Sequence, residues 1–263
     1  MVRGRLPVRM EAHLIVPPEQ RPIQVVLERT QHGRVETEAK DYPMSTYLPE
    51  PLPLFWQLKP VSSANAGVET LKDGRRKYWI KHDVLKNVTP RMLAWWFGHM
   101  EGDVEIQGQK FPRYRVWHPL DHVYARYVRR MPDEPASPGT QIALCEYLGR
   151  NPRYKIEAVS MIEKLDETGF IHAVIRGGVQ MARMEHVFTK AADGVRDENC
   201  LIVPGTPRLG PFARLLGPFL FPDGKGQAWL KHNIEEMGNL ENFLPELYER
   251  EAKQEFVDQV ASV

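Results

Sequence analysis

Alternation of apolar and polar side chains dominates the second half of the chain. It predicts five strands, at residues 141–148, 155–165, 170–176, 182–190 and 195–203. Ala191-Ala192-Asp193-Gly194 joins the last two as a hairpin turn, because glycine adopts positive φ without strain. A further strand is predicted earlier in the chain, at 78–84. Strands joined by short turns indicate an antiparallel sheet.

Helical spacing of apolar residues occurs in two places. Thr89 and Pro90 suit the N-cap and first position of a short helix over 91–97. A long carboxy-terminal helix is predicted from about Gln227, with Pro245 starting a second segment or a bend. Its apolar side chains form a broad arc, as in a helix that packs across a sheet. The predicted fold class is therefore α+β.

Prolines indicate a different organisation near the amino end. A double proline at 17–18 and alternating prolines from 49 to 53 lie in a stretch without a long periodic pattern. Residues 1–75 are therefore predicted to be an irregular N-terminal region, and residues 76–263 to be one sheet-and-helix domain.

Charge and cysteine content narrow the possible functions. The 263 residues include 35 Lys and Arg against 34 Asp and Glu, so no overall field attracts nucleic acid or an anionic membrane. The chain lacks both a run of ~20 apolar residues and an apolar signal sequence, so we expect a cytoplasmic protein. Cys145 and Cys200 are too few for a disulfide framework or a thiolate zinc site. Any metal is therefore expected to have nitrogen and oxygen ligands.

Histidines and carboxylates of metal-ligand type occur in separate parts of the chain. His232 and Glu236 are four residues apart, which places them on one side of a helix. His118 and His122 belong to a short polar run. Glu146 lies on the apolar face of a predicted strand, where an uncompensated carboxylate is costly to bury. These side chains are of the types that bind zinc.

Each of these residues also has an ordinary structural explanation. His232 and Glu236 fit an exposed pair on a helix, and His118 and His122 fit turn or N-cap histidines. Glu146 fits an ion pair with a basic residue of a neighbouring strand. Spacing alone leaves both explanations open, and the convergence of separate clusters on one chemistry favours a metal.

Three motifs stand out from about residue 80 onward. They are Trp95-Trp96-Phe97-Gly98-His99, the segment from Arg113 to His122, and His232-x-x-x-Glu236-Met237 followed by Phe243-Leu244-Pro245. Together they resemble the 2,4-diacetylphloroglucinol hydrolase family, which also includes phloretin hydrolase. The resemblance implies a zinc-dependent hydrolase that cleaves the carbon–carbon bond between an acyl group and a phenolic ring. It also implies a Bet v 1-like helix-grip fold, a small-molecule phenolic ketone as substrate, and a homodimer formed with help from the N-terminal part.

The resemblance further implies a Zn²⁺ ion held by two histidines and two glutamates. The helical pair falls on His232 and Glu236. The first histidine follows a substrate-contacting tyrosine by eight residues, which puts it at His122. Glu146 is the best-placed match for the remaining glutamate, and His118 is the alternative ligand or a partner of the ligands.

Catalytic roles follow from the same resemblance. The tyrosine falls on Tyr114, which is expected to hydrogen-bond ring hydroxyls together with His118 or His186. His186 suits either the pocket or the core, since it lies on an apolar strand face. A substrate-contacting asparagine of the family would fall at Ala125, and a second family tyrosine has no counterpart.

Two other functions remain open. The first is a non-catalytic helix-grip carrier of an aromatic or lipid-like ligand, in which the same residues are separate structural polar groups. The second is a metal-dependent lyase or cyclase that acts on a polyketide. The chain has no Gly-x-Ser-x-Gly elbow and no glycine-rich dinucleotide motif, so serine-hydrolase and nucleotide-dependent chemistry are not supported. Zinc is favoured, although iron, manganese and cobalt accept the same ligands.

Overall fold

A computed structural model describes residues 47–53, 56–129, 135–204, 219 and 221–261, with side chains described as far as residue 252. Most of the predicted N-terminal region lies outside these residues. Among the described helices, none has an apolar stretch that would let it cross a membrane.

Antiparallel strands make up most of the described chain. In chain order they are β1 (Ala64–Thr70), β2 (Arg76–His82), β3 (Leu85–Lys86), β4 (Asp103–Ile106), β5 (Gln109–Pro112), β6 (His122–Arg129), β7 (Gln141–Tyr147), β8 (Lys155–Asp166), β9 (Gly169–Arg176), β10 (Val179–Lys190) and β11 (Gly194–Val203). The main sheet has the order β1-β2-β11-β10-β9-β8-β7-β6, with β3 also beside β11. Strands β4 and β5 form a separate hairpin.

Three α-helices complete the described part of the fold: α1 (Pro90–Gly98), α2 (Arg113–Trp117) and α3 (Asp223–Ala261). The Thr89 hydroxyl accepts a hydrogen bond from the Met92 amide at 3.2 Å, which confirms the predicted N-cap of α1. Helix α3 contacts β2, α1 and α2. Its apolar side chains are buried in the core, as its arc of apolar positions predicts. They include Trp229, Ile234, Met237, Leu240, Phe243 and Leu244.

This combination of one antiparallel sheet and a long carboxy-terminal helix is the predicted α+β, Bet v 1-like helix-grip fold. The six predicted strands correspond to β2 and β7 to β11, with ends that differ by a few residues. Strand β1 precedes residue 75 and pairs along its length with β2. The division of the chain at residue 75 stays a prediction.

Helix α3 differs from its prediction at two points. It begins at Asp223 rather than near Gln227, and it continues through Pro245 without a second segment. The predicted start is too late because glycine is a poor helix former and Gly226 lies in the first turn of the helix. That glycine is needed for packing, because a Cβ there would lie 2.1 Å from the Tyr78 ring. Burial of Leu244 and Leu247 on either side of Pro245 holds the helix together where one backbone hydrogen bond is lost.

Gly194 serves the β10–β11 hairpin for a different reason from the predicted one. It does not have positive φ. A Cβ at this position would lie 2.0 Å from the carbonyl oxygen of Leu85, because β3 passes directly beside the turn. Close approach of two backbones therefore requires the glycine.

Candidate metal centre

Four side chains predicted as ligands lie together between the sheet and α3. The Nε2 atoms of His122 and His232 are 3.3 Å apart. Glu236 Oε2 lies 3.3 Å from His122 Nε2 and 3.5 Å from His232 Nε2. Glu146 Oε2 lies 3.7 Å from His232 Nε2. His122, His232 and Glu236 are buried, and Glu146 is half-buried.

Strand pairing and helical repeat account for this convergence. His122 begins β6 and is paired directly with Glu146 on β7, so the two side chains share one face of the sheet. His232 and Glu236 are one turn apart on α3. The helix lies against that face and brings the two pairs into contact.

Hydrogen bonds fix the orientation of both imidazoles. His122 Nδ1 lies 2.8 Å from the carbonyl oxygen of Tyr114, which can only accept, so Nδ1 carries the proton. His232 Nδ1 donates in the same way to Asp121 Oδ2 at 2.9 Å. In the neutral form of each ring the Nε2 lone pair therefore faces the other Nε2.

Without a cation this arrangement is repulsive. Two nitrogen lone pairs and two carboxylates converge on one buried point, and burial without compensation is unfavourable for each carboxylate. The donor set also satisfies the requirements of a divalent metal: deprotonated nitrogen and oxygen atoms, held by partners behind them. His122, Glu146 and His232 form a compact group in which the ligand atoms all lie within 4.8 Å of one another. The residues fit a metal ion.

The pKa values of the cluster residues also indicate a site for positive charge. Burial lowers the pKa of His232, but the charges of Glu236, Asp121 and Glu146 outweigh it and hold that pKa well above its ordinary value. Burial raises the pKa of Glu236, but His232 and His122 outweigh it and hold that pKa well below its ordinary value. The carboxylates thus stabilise positive charge at this point, and a proton on His232 and a metal cation are alternative sources of it.

Asp121 supports the cluster from behind. Besides accepting from His232, its carboxylate accepts hydrogen bonds from the backbone amides of Gly149 at 2.8 Å and Arg150 at 3.0 Å. Burial raises its pKa, but the contact with His232 is the main opposing effect and the net pKa is well below its usual range. A fixed carboxylate behind a metal-binding histidine sets the tautomer and the ring direction.

Tyr114 lies at the edge of the cluster. Its hydroxyl donates to Glu146 Oε1 at 2.7 Å, and its ring stacks on His122 with centroids 3.8 Å apart. Burial, together with the nearby charge of Glu146, raises the pKa of the phenol well above its ordinary value. The hydroxyl therefore stays protonated and orients Glu146.

His118 lies behind the cluster. Its ring stacks on His232 with centroids 4.3 Å apart, and its Nδ1 accepts a hydrogen bond from the Asp121 amide at 3.1 Å. Its Nε2 is 3.4 Å from Glu235 Oε2 but is not aligned for a hydrogen bond. Burial, followed by the charge of His232, lowers the pKa of His118 to about 4.

His118, Asp121 and His232 also form a compact group of possible ligands. That group is the weaker candidate, because the Nδ1 atoms of both histidines are occupied and Asp121 already accepts three hydrogen bonds. His122 is therefore better placed than His118 to face an ion.

His186 is connected to the cluster through a buried polar network. Its Nδ1 lies 2.9 Å from Asp197 Oδ2. Asn199 Nδ2 donates to Asp197 Oδ2 at 2.9 Å and to Asn233 Oδ1 at 2.6 Å, and Asn233 Nδ2 donates to Glu236 Oε1 at 2.7 Å. Asp197 and the two asparagines were not singled out in the sequence. Asp197 and Asn199 fall on β11 positions where alternation predicts inward-facing residues, and that signal would have identified them.

A cavity of about 360 Å³ opens beside the cluster, between the sheet and α3. Glu146, Glu236, Tyr114 and His186 line it, whereas His122 and His232 contact these carboxylates without lining the cavity themselves. Most of the remaining wall is apolar, and Ala125 forms part of it where the family resemblance placed an asparagine. An aromatic ring with a few polar substituents suits such a wall.

Comparison with solved structures gives distant matches. Ara h 8.0201 is 12% identical, with 68% of this chain and 98% of that chain covered and a TM-score of 0.42. NE0264 from Nitrosomonas europaea is 14% identical, with 67% and 96% covered and a TM-score of 0.40. TTHA0849 from Thermus thermophilus is 13% identical, with 65% and 94% covered and a TM-score of 0.39. No curated protein gives a significant match.

Comparison with protein families gives a match over residues 57–249, to the family described as DAPG hydrolase, PhiG domain. The match includes all four cluster residues, the supporting Asp121 and the cavity. Because it extends over most of the chain, the protein belongs to the DAPG hydrolase PhiG domain family, as the sequence resemblance indicated.

Proposed function

We propose that this protein is a zinc-dependent hydrolase that cleaves the carbon–carbon bond between an acyl group and a polyphenol ring. Family membership supports a hydrolase of acylphloroglucinol type. The observation that carries the metal assignment is the convergence of two imidazole Nε2 atoms and two carboxylates on one buried point. His122, Glu146, His232 and Glu236 are the proposed ligands. Zinc is preferred because the family resemblance implies it and because it accepts imidazole and carboxylate together.

The reaction adds water across the bond between the acyl carbon and the ring. The oxygen of water bonds to the acyl carbon, and the electron pair of the broken bond passes to the ring carbon. Hydroxyls ortho and para to that carbon delocalise the charge, and the ring carbon then takes a proton. The products are a carboxylic acid and the deacylated phenol. Zinc, when bound, supplies Lewis-acid polarisation of the acyl carbonyl and of the attacking water.

Tyr114 and Glu146 orient the acyl group. Tyr114 lines the cavity and its hydroxyl donates to Glu146, so the carboxylate is held in one direction. Orientation of this kind raises the rate because the reacting atoms are already aligned when the substrate binds.

His186 is proposed to move the proton. Asp197 accepts from its Nδ1, so in the neutral ring the lone pair is on Nε2, which lies 3.3 Å from Met184 Sδ and can take a proton from the attacking water. The same atom can then deliver that proton to the ring carbon. His186 lines the cavity and is linked to Glu236 through Asn233 and Asn199, which keeps its position fixed relative to the cluster.

The proposal is tested by elemental analysis of the purified protein together with a screen of acylated phloroglucinols and dihydrochalcones. We expect one zinc per chain and release of the carboxylic acid. Glu146→Gln is expected to lose metal and activity, whereas Glu235→Gln, which changes a buried carboxylate near His118, is expected to retain both. A non-catalytic carrier would bind the ketones without zinc and without turnover, and that result would contradict the proposal.

The homodimer, the cytoplasmic location and the division at residue 75 stay predictions. Light scattering on the purified protein tests the first of these, and limited proteolysis tests the third.

A further inference from the structure

A second histidine faces the same cavity at a place that the sequence reasoning did not identify. His172 lies on β9 and Ser160 on the adjacent strand β8, and both line the cavity wall. His172 Nδ1 is 2.6 Å from Ser160 Oγ. Phe170 stacks on the imidazole with centroids 4.8 Å apart, so the ring is held in one plane.

The surroundings of Ser160 determine which atom of His172 carries its proton. Ser160 is fully buried, and within the described part of the chain its hydroxyl makes one hydrogen bond, to His172. If Nδ1 donated to Ser160, the buried hydroxyl hydrogen would be left unpaired, and such a loss costs about 1–3 kcal/mol. Ser160 therefore donates to Nδ1, and the proton of His172 is on Nε2.

The Nε2–H group of His172 is the one that remains available to a ligand. Among the described residues, no hydrogen-bond partner is recorded for it, and the ring is partly accessible because it faces the cavity. Burial, followed by repulsion from His186, lowers the pKa of His172 to about 3, so the ring is a neutral donor under working conditions.

His172 lines the same cavity as the metal cluster. Glu146 is on β7 and His172 on β9, with β8 between them. The rings of His172 and His186 both contact Phe170, with centroids 4.8 Å and 6.0 Å from it. A substrate ring whose acyl-bearing carbon lies beside His186 would therefore have its far side near His172.

We propose that His172, held by Ser160, donates a hydrogen bond from Nε2 to the ring oxygen para to the acyl group. This inference rests on the proposed function and names a specificity-determining contact for it. When the bond to the acyl carbon breaks, the electron pair on the ring carbon is conjugated with the para oxygen. A donor at that oxygen therefore stabilises the leaving ring more than the bound substrate, which raises the rate as well as the affinity.

The test is a cycle in which the protein and the ligand are each changed. Binding and turnover are measured on the zinc-loaded protein with monoacetylphloroglucinol and with the analogue that lacks the para hydroxyl. We expect wild type to prefer the full ligand by about 10-fold, as for one neutral hydrogen bond. His172→Phe is expected to lose this preference, and His172→Gln to restore part of it through its amide N–H.

Val174→Ala is the matched control, since Val174 lines the same strand face without a polar group. This variant is expected to change binding and turnover of both ligands by the same factor. An undiminished preference in both His172 variants, or equal losses for both ligands, would overturn the subsite. Absence of turnover with a preference that disappears in His172→Phe would instead contradict the hydrolase and leave the subsite intact.

Discussion

Replacing Asp121 with asparagine tests the support behind the cluster. Three N–H groups surround this carboxylate, and they use both oxygens: Gly149 and His232 donate to Oδ2, and Arg150 donates to Oδ1. Asparagine has one oxygen, so either orientation of its amide turns an NH₂ group toward at least one N–H. The variant therefore leaves one or two buried donors unsatisfied.

The expected size of the effect follows from that count. One buried unsatisfied donor costs about 1–3 kcal/mol, so the free energy of unfolding of the metal-free protein should fall by about this amount in Asp121→Asn. Loss of the charge behind His232 should weaken zinc binding by about 10- to 100-fold. Urea unfolding in the presence of a chelator measures the first effect, and competition with a chromophoric chelator measures the second.

Glu235→Gln is the matched control for Asp121→Asn, because the buried Glu235 side chain pairs with His118 and Lys231 and, among the described residues, forms no hydrogen bond or ion pair with the side chains of the four cluster residues. It is expected to retain the zinc affinity of wild type. If Asp121→Asn also bound zinc within about twofold of wild type, the assignment of the His232 tautomer by Asp121 would be refuted.

Three further changes have defined outcomes. Because His172 is neutral when folded, with its pKa lowered to about 3 from 6.5, the unfolded state binds more protons between these values and stability is lost as the pH falls. Between about pH 6 and 4 the unfolding free energy of wild type should therefore fall more steeply than that of His172→Phe. The difference in slope is expected to be about 1.4 kcal/mol per pH unit. Equal slopes for the two proteins would refute the lowered pKa of His172. Gly194→Ala should lose about 1–3 kcal/mol and lower Tm, because the new Cβ meets Leu85 at 2.0 Å, whereas Gly98→Ala, with ordinary contacts at 3.6 Å, should change Tm little. Burial raises the pKa of Cys145 to about 12, so iodoacetamide should label it at about pH 8 only after unfolding, and rapid labelling of the folded protein would contradict its burial.

Local pattern was enough to predict the strands that carry most of the cavity. Alternation placed Glu146 on the face of Ile142 and Leu144, and all three line the cavity in the structure. The i,i+4 spacing likewise placed His232 and Glu236 on one side of α3, where both face His122. These residues were predictable because each depends on a repeat of two or 3.6 residues within one element.

Contacts between elements were beyond the reach of such patterns. The direction of the His232 ring depends on Asp121, which is distant in the chain, and no periodicity relates the two. The link from Asn199 to the metal cluster depends in the same way on its hydrogen bond to Asn233, which joins β11 to α3. His172 could have been predicted from local pattern, because alternation along its strand places it on the cavity face just as it does for Glu146.

The most direct test of the metal centre is the zinc K-edge X-ray absorption spectrum of the zinc-loaded protein. We expect nitrogen and oxygen ligands at about 2.0–2.1 Å, with outer-shell scattering from two imidazoles that falls to one imidazole in His232→Ala. Sulfur scattering at about 2.3 Å, or a spectrum that His232→Ala leaves unchanged, would contradict a metal held by His122, Glu146, His232 and Glu236.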